Sequence, residues 1–294
     1  MRKAIIDLGT NTFNLLIGDI SEAGLDIVHS QKIPVMLGMG GINEGRIAPD
    51  AYQRAMDALT VFKLEALSFK VDLIKGIATS AVRGASNGQQ LVDEVFTTLG
   101  FQIDIVDGKR EAELIFKGVQ LTKDIHEDAV IMDIGGGSTE FIHVSSSSVL
   151  EMTSLNIGVS RIYQNLNKPE NYTAEEKSSI LAFLEKEAST ELNYNSNVLI
   201  GASGTFETFY EMIYEKNFVS DGKAVQLDWD KFIEVLNWSV HASLEDRNDH
   251  PWIVEMRKRM LPIGALKVKW IIERLGIREV WLSPYSLKEG AFIS

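Results

Sequence analysis

Ile131-Met132-Asp133-Ile134-Gly135-Gly136-Gly137-Ser138 is the stretch that decides the fold. An apolar run ends in Asp-x-Gly, a small polar tip follows, and residues 139–144 resume the apolar pattern. The segment therefore reads as strand, turn, strand. The same grammar stands 126 residues earlier in Ile5-Ile6-Asp7-Leu8-Gly9-Thr10-Asn11-Thr12, which leads into the apolar residues 14–20. Recurrence at about one domain's length marks an internal repeat. It predicts two related lobes, each offering an Asp-x-Gly hairpin to a shared cleft.

Working outward, residues 73–79, 103–106, 198–201 and 279–283 read as further strands. Helical spacing covers 49–67, 88–99, 111–121, 206–214, 229–244 and 251–275. Residues 173–193 read as a helix opened by a Thr173/Glu176 capping box, and 287–293 as a closing helical turn. Residues 33–45 are glycine-rich and loop-like, and the serines at 145–148 suit a hairpin loop. Strand–helix alternation makes the chain α/β. The polar, acidic stretch 124–128 separates a lobe at 1–123 from one at 124–294, with the last few residues free to pack back on the first.

The chain has 294 residues, 29 Lys+Arg against 41 Asp+Glu, a net charge of −12 and no cysteine. Disulfides, thiolate metal sites and a cysteine nucleophile are excluded. The acidic balance argues against a nucleic-acid or membrane-surface binder, although a basic cleft can sit on an acidic body. Residues 1–7 lack a signal-peptide pattern, and no apolar run is long enough for a membrane span. The expected setting is cytoplasmic.

Four segments carry the candidate chemistry. In residues 133–140, three glycines let backbone N–H groups turn toward one anion, Ser138 and Thr139 add hydroxyls, and Asp133 and Glu140 flank the turn. Hard carboxylate ligands of this kind suit Mg²⁺ or Mn²⁺. The same string also serves as an ordinary glycine-rich hairpin. Gly201-Ala202-Ser203-Gly204-Thr205, after a strand and before a helix, is either an anion-binding helix N-terminus or a tight packing turn. Arg83, in the 78–87 loop, is either a fork for phosphate oxygens or a surface ion pair. Glu111 opens a helix, as dipole decoration or as a group that orients or deprotonates water. The 257–259 basic run with Lys267 and Lys269 is either a solvated face or a route for a polyanion. The five histidines form no ligand spacing.

Taken in order, these strings resemble the exopolyphosphatase / guanosine pentaphosphate phosphohydrolase (Ppx/GppA) family. The resemblance runs through Asp7-Leu8-Gly9-Thr10-Asn11-Thr12, the 79–87 segment, and Glu111-Ala112 with Leu114-Ile115-Phe116-x-Gly118-Val119. It continues through residues 133–140, Gly158-Val159-Ser160-Arg161, Gly201-Ala202-Ser203-Gly204-Thr205 and Ser283-x-x-x-Leu287-Lys288-Glu289-Gly290. It implies two ribonuclease H-like lobes of the actin/Hsp70/sugar kinase superfamily around a cleft. Glu111 matches the glutamate that activates water. Asp133 and Glu140, with Asp7, match acidic positions serving a divalent metal and the water. Thr10, Asn11, Thr12, Arg83, Gly135, Gly136, Gly137, Ser138, Ser203, Gly204 and Thr205 match phosphate-contacting positions.

The implied activity is release of the terminal phosphate from polyphosphate or guanosine pentaphosphate, in a chain that forms a homodimer. The departures are Arg110 and Glu113 around Glu111, where the flanking charges are inverted, and Pro284 and Lys288 near the end. The chain also stops where longer members add helical domains, which favours short or nucleotide-linked phosphate chains. Two other readings stand beside this one: an ATP-dependent small-molecule kinase of the same superfamily, and a non-catalytic (p)ppGpp or polyphosphate sensor.

Overall fold

The computed structural model describes residues 1–21, 24–188 and 190–294. The first sheet begins as an antiparallel meander, β1 (Arg2–Leu8), β2 (Thr12–Ser21) and β3 (Gly24–Pro34). After α1 (Pro49–Ser68) it continues with the parallel strand β4 (Leu73–Ala78). Helices α2 (Ser80–Arg83) and α3 (Gly88–Leu99) then lead to β5 (Gln102–Ile105), giving the order β3-β2-β1-β4-β5. Helix α4 (Gly108–Gln120) leads away from it.

The second sheet repeats the plan. Strands β6 (Ala129–Ile134), β7 (Thr139–Ser145) and β8 (Ser148–Leu155) form the meander. Helices α5 (Val159–Asn165) and α6 (Ala174–Ala188) precede β9 (Val198–Ala202), and α7 (Gly204–Tyr214) follows it. The short β10 (Val225–Gln226), then α8 (Trp229–His241), α9 (Leu244–Asp249) and α10 (Leu261–Leu275), lead to β11 (Glu279–Ser283) and α11 (Leu287–Phe292). The order is β10-β11-β9-β6-β7-β8, with β9 and β11 parallel to β6. Two meanders, each continued by parallel strands, make the two related lobes that the repeat predicts, with the ribonuclease H-like plan that the family resemblance implies.

The central strands show why. In β1, Ala4, Ile6 and Leu8 enter an outer core with α1 and α3, while Ile5 faces inward. In β6, Val130 and Met132 face a second outer core, while Ala129 and Ile131 face inward. A strand buried on both faces needs continuous apolar sequence, which both strands have. The inward faces share a middle core with Ala112, Ile115 and Val119 of α4 and Leu287 and Phe292 of α11. Helix α4 packs on α11 and on β7 and β8, and α11 returns to β1 and β2. Residues on either side of 123 therefore contribute to one middle layer.

Helices α4 and α11 cross almost backbone to backbone. A Cβ on Gly290 would stand 1.8 Å from the Leu114 carbonyl oxygen, and one on Gly118 would stand 2.0 Å from that of Ser286. Gly290→Ala is expected to lower stability by about 2–3 kcal/mol, the scale of an overpacked contact that cannot relax. Urea denaturation checks this, and a variant as stable as the parent would show the crossing to be looser than drawn.

Several segments differ from the sequence expectation. Strands β3 and β8 complete each meander beyond the two-strand hairpins read from the sequence. The 229–244 helix breaks after His241, where Ser243 caps α9 through a box with Asp246. The 251–275 helix starts only at Leu261, with Pro262 in its first turn, because proline fits a helix start and disrupts an interior. The expected capping box on α6 forms: Glu176 accepts from the Thr173 N–H at 2.8 Å, and the Glu176 N–H donates to the Thr173 hydroxyl at 3.2 Å. Helix α6 spans Ala174–Ala188, so it stops short of residue 193. Among the described residues, no helix is long and apolar enough to cross a membrane.

Candidate active site

The repeat is kept in three dimensions. The register of β1 with β2 sets Asp7 opposite Asn14, and that of β6 with β7 sets Asp133 opposite Glu140. The second hairpin thus carries a carboxylate where the first carries an amide. Asn14 Nδ2 donates to Asp7 Oδ2 at 2.9 Å. Both pairs line a cavity of about 220 Å³ between the sheets, together with the Gly9–Thr12 and Gly135–Ser138 tips, Glu111 and the Ser203-Gly204-Thr205 turn.

The two tips touch. A Cβ on Gly136 would lie 2.9 Å from side-chain atoms of Thr10 and Asn11, and one on Gly137 would lie 2.5 Å from Ser80 Oγ. Ser160 Oγ donates to Asn11 Oδ1 at 2.5 Å. A polar seam continues the contact. Gln164 accepts from the Gly40 N–H at 2.8 Å and donates to the Gly38 carbonyl at 3.0 Å, and Asn43 donates to the Arg161 carbonyl at 3.0 Å. The lobes are therefore closed on each other.

Four carboxyl groups gather here, Glu111 and Glu140 buried and Asp7 and Asp133 half-buried. Glu111 sits in the first turn of α4, fixed by the Asp107 cap, and is only 6% exposed. Burial first, and then Glu140, push its pKa well above the usual carboxylate range, with Arg83 pulling back. Burial and Glu140 push Asp133 up to about 8, against the hydroxyl donated by Ser286. Burial raises Asp7 to about 6. Glu140 is raised by burial, although Ser154 Oγ donates to it at 2.7 Å.

Cations stand behind this group. Arg83 Nη1 reaches Glu111 Oε2 at 2.7 Å and the Val106 carbonyl at 2.9 Å. Arg83 does not line the cavity; its Nη1 is held by Glu111 and the Val106 carbonyl. Lys288 lines the cavity and pairs with Glu289 at 2.7 Å. Burial draws its pKa down, and Glu289 outweighs that, holding it above the usual lysine value. Lys32 and Arg257 both pair with Glu207 at the cavity wall. Arg257 lies directly on Gly204, where a Cβ would stand 1.7 Å from Nη2.

The donor set fits a phosphate chain and a hard divalent ion. Ser203 Oγ is buried without a partner, on a residue whose φ of +128° is strained for a side chain. An orphaned hydroxyl in a cavity wall, beside the N-terminus of α7, suits a phosphate oxygen. Carboxylates that oppose one another's ionisation suit a cation. Among the described residues, no three acidic or histidine side chains converge as an all-protein cage. Mg²⁺ does not require one, since one or two carboxylates, water and phosphate oxygens complete its shell.

The cavity is lined by every site residue that the family resemblance implies except Arg83, which stands one layer back. Thr139, read as an anion donor, is fully buried, and its hydroxyl accepts from Lys267 instead. Lys267 is neither solvated nor on a polyanion route: it is 0% exposed. Sequence reasoning passed over Asn14, Ser286, Lys32 and Glu207. Asn14 was legible, being the repeat partner of Glu140.

Comparisons with known proteins show the family and the fold. A family model, the Ppx/GppA phosphatase family, matches residues 16–294. The guanosine-5'-triphosphate,3'-diphosphate pyrophosphatases of Aeromonas hydrophila and Aeromonas salmonicida are 28% and 27% identical over 291 residues, which is 98% of this chain. The chain spans 58% of the length of these curated relatives. The crystal structure of an exopolyphosphatase from Cytophaga hutchinsonii is 30% identical, with a TM-score of 0.93, covering 100% of this chain and 97% of that one. The Aquifex aeolicus PPX-GPPA enzyme is 24% identical, with a TM-score of 0.82 and coverage of 100% and 99%, a likeness of fold.

Proposed function

The chain belongs to the Ppx/GppA phosphatase family, and from that premise we propose that it hydrolyses the terminal phosphoanhydride bond of polyphosphate or guanosine pentaphosphate. The observation that carries the reading is the position of Glu111. It is a buried carboxylate in the wall of a cavity whose other walls are glycine tips, hydroxyls and cations. Phosphoryl transfer is mostly positioning and charge stabilisation, and these are its parts.

The tips at Gly9–Thr12 and Gly135–Ser138, with Ser203, Gly204 and Thr205, hold the phosphate oxygens and set the terminal phosphorus toward Glu111. The Glu111 carboxylate accepts the proton of the attacking water. A carboxylate with a raised pKa is the stronger base near neutral pH, and Arg83 fixes its Oε2 so that it cannot swing away. Lys288 neutralises negative charge from the α11 side. Asp133 and Glu140, with Asp7 beside them, would hold Mg²⁺ or Mn²⁺, which supplies charge neutralisation for the phosphate oxygens. A homodimer, which rests on the family resemblance, and a cytoplasmic setting, which rests on the sequence pattern, are part of the same proposal.

The test is phosphate release from tripolyphosphate, long polyphosphate and guanosine pentaphosphate, with Mg²⁺ and with chelator. Mg²⁺-dependent release, faster on the short or nucleotide-linked chains, is expected. Binding of these compounds with no turnover in any metal would replace the hydrolase reading with a sensor.

A further inference from the structure

Lys267 is the buried amine that the mechanism above leaves unused. It lies in the middle of α10 between the buried Leu266 and Val268, with no exposed surface. An apolar residue would be cheaper to bury there. Its ammonium donates to the Thr139 hydroxyl and, at 2.7 Å, to the Ile157 carbonyl.

Those two acceptors bracket the glycine tip. Thr139 directly follows Ser138. Ile157 opens a segment that takes up the tip's carbonyls one by one. The Gly158 N–H donates to Gly137 O at 3.3 Å, the Val159 N–H to Gly135 O at 3.1 Å, and the Ser160 N–H to Gly136 O at 2.9 Å. Gly158 must be glycine for this approach, since a Cβ would stand 2.3 Å from the Gly136 carbonyl. The tip's three carbonyls are thus all engaged by the 158–161 segment.

We infer that Lys267 is a positioning residue that clamps Thr139 to Ile157 and thereby sets the Gly135-Gly136-Gly137 amides for phosphate. This deepens the phosphohydrolase reading and rests on it. A clamp on amides that grip phosphate before and during reaction affects uniform binding, so KM moves and kcat does not.

The test uses the full chain with Mg²⁺ and compares Lys267→Met, Thr139→Val and Thr139→Ser. Tripolyphosphate binding is measured by calorimetry and phosphate release by steady-state kinetics. Lys267→Met is expected to weaken binding and raise KM at least tenfold, with kcat within threefold and an unchanged circular dichroism spectrum. Thr139→Val should move the same way, and Thr139→Ser, which keeps the hydroxyl, should restore the parent values. A folded Lys267→Met chain with parental affinity overturns the inference, as does Thr139→Ser proving as damaging as Thr139→Val. If Lys267→Met does not fold, the Thr139 pair decides. A parent chain that binds tripolyphosphate without releasing phosphate sinks the hydrolase reading alone, and the affinities still judge the clamp. A parent that does not bind it overturns both.

Discussion

A chain carrying Glu111→Gln is expected to release phosphate about 10²–10⁴-fold more slowly than the parent, the range lost when a general base is removed, while it folds and binds as before. Glutamine keeps the shape, and its carbonyl still accepts from Arg83, so the 2.7 Å contact survives without the charge. Arg83 also keeps its bond to the Val106 carbonyl. The amide cannot accept the proton of an attacking water. Stability should hold, because the substitution removes one member of a group whose charges repel: Glu140 and Asp133 both oppose ionisation of Glu111. Loss of the ion pair and relief of that repulsion act in opposite directions. Three measurements check the idea: phosphate release, tripolyphosphate affinity and the thermal midpoint. Full activity in the variant would remove Glu111 from the mechanism. Loss of affinity together with turnover would make it a binding residue instead.

How far the sequence reveals such a site depends on how local its signals are. The Asp-x-Gly repeat fixes the two central hairpins and places Asp7 and Asp133 at matching positions, because a strand ending in a glycine tip is a local pattern. The same offset of 126 residues pairs Asn14 with Glu140. The outer strands were not legible in the same way. In β3, Leu25, Ile27 and Ile33 alternate with polar and charged residues, and His29 and Gln31 interrupt the apolar side, as suits a half-buried edge strand. Lys267 is the opposite case. Its helix looks like an ordinary amphipathic element, and its two partners lie 128 and 110 residues away. Ser286 and Lys288 reach the cavity only because α11 folds back through the Gly118–Gly290 crossing. A local pattern carries strands and caps, whereas a charge buried by distant elements has no local mark.

The second large effect concerns pH. Asp133 ionises at about 8 in the fold against 3.8 for the free side chain. Between those values the folded chain keeps a proton that the unfolded chain has released, so the fold binds more protons and stability falls as pH rises. This contribution is fully present below about pH 4 and gone above about pH 8. Asp7, at about 6, acts in the same direction over a narrower window. At 1.36 kcal/mol per pH unit the loss from Asp133 alone is bounded by about 6 kcal/mol.

Asp133→Asn should remove that slope. Its carbonyl oxygen can still accept from the Ser286 hydroxyl, and no charge is created. The thermal midpoint of the parent, measured in chelator from pH 5 to 9, is expected to fall steadily, and that of the variant to fall less steeply, with the slope left by Asp7, Glu111 and Glu140, and to end above the parent at pH 9. Parallel profiles would mean that Asp133 is not the buried acid described. Added Mg²⁺ at pH 8 should raise the midpoint of the parent far more than that of the variant, since a ligand that binds only the fold stabilises it. Equal responses would move the ion away from Asp133. Were both expectations met while Asp133→Asn released no phosphate, the substitution would stabilise the fold by removing a group the reaction needs. The four carboxyl groups would then be held together against their mutual repulsion for the sake of the chemistry, with the cation and substrate supplying the countercharge that the protein alone withholds.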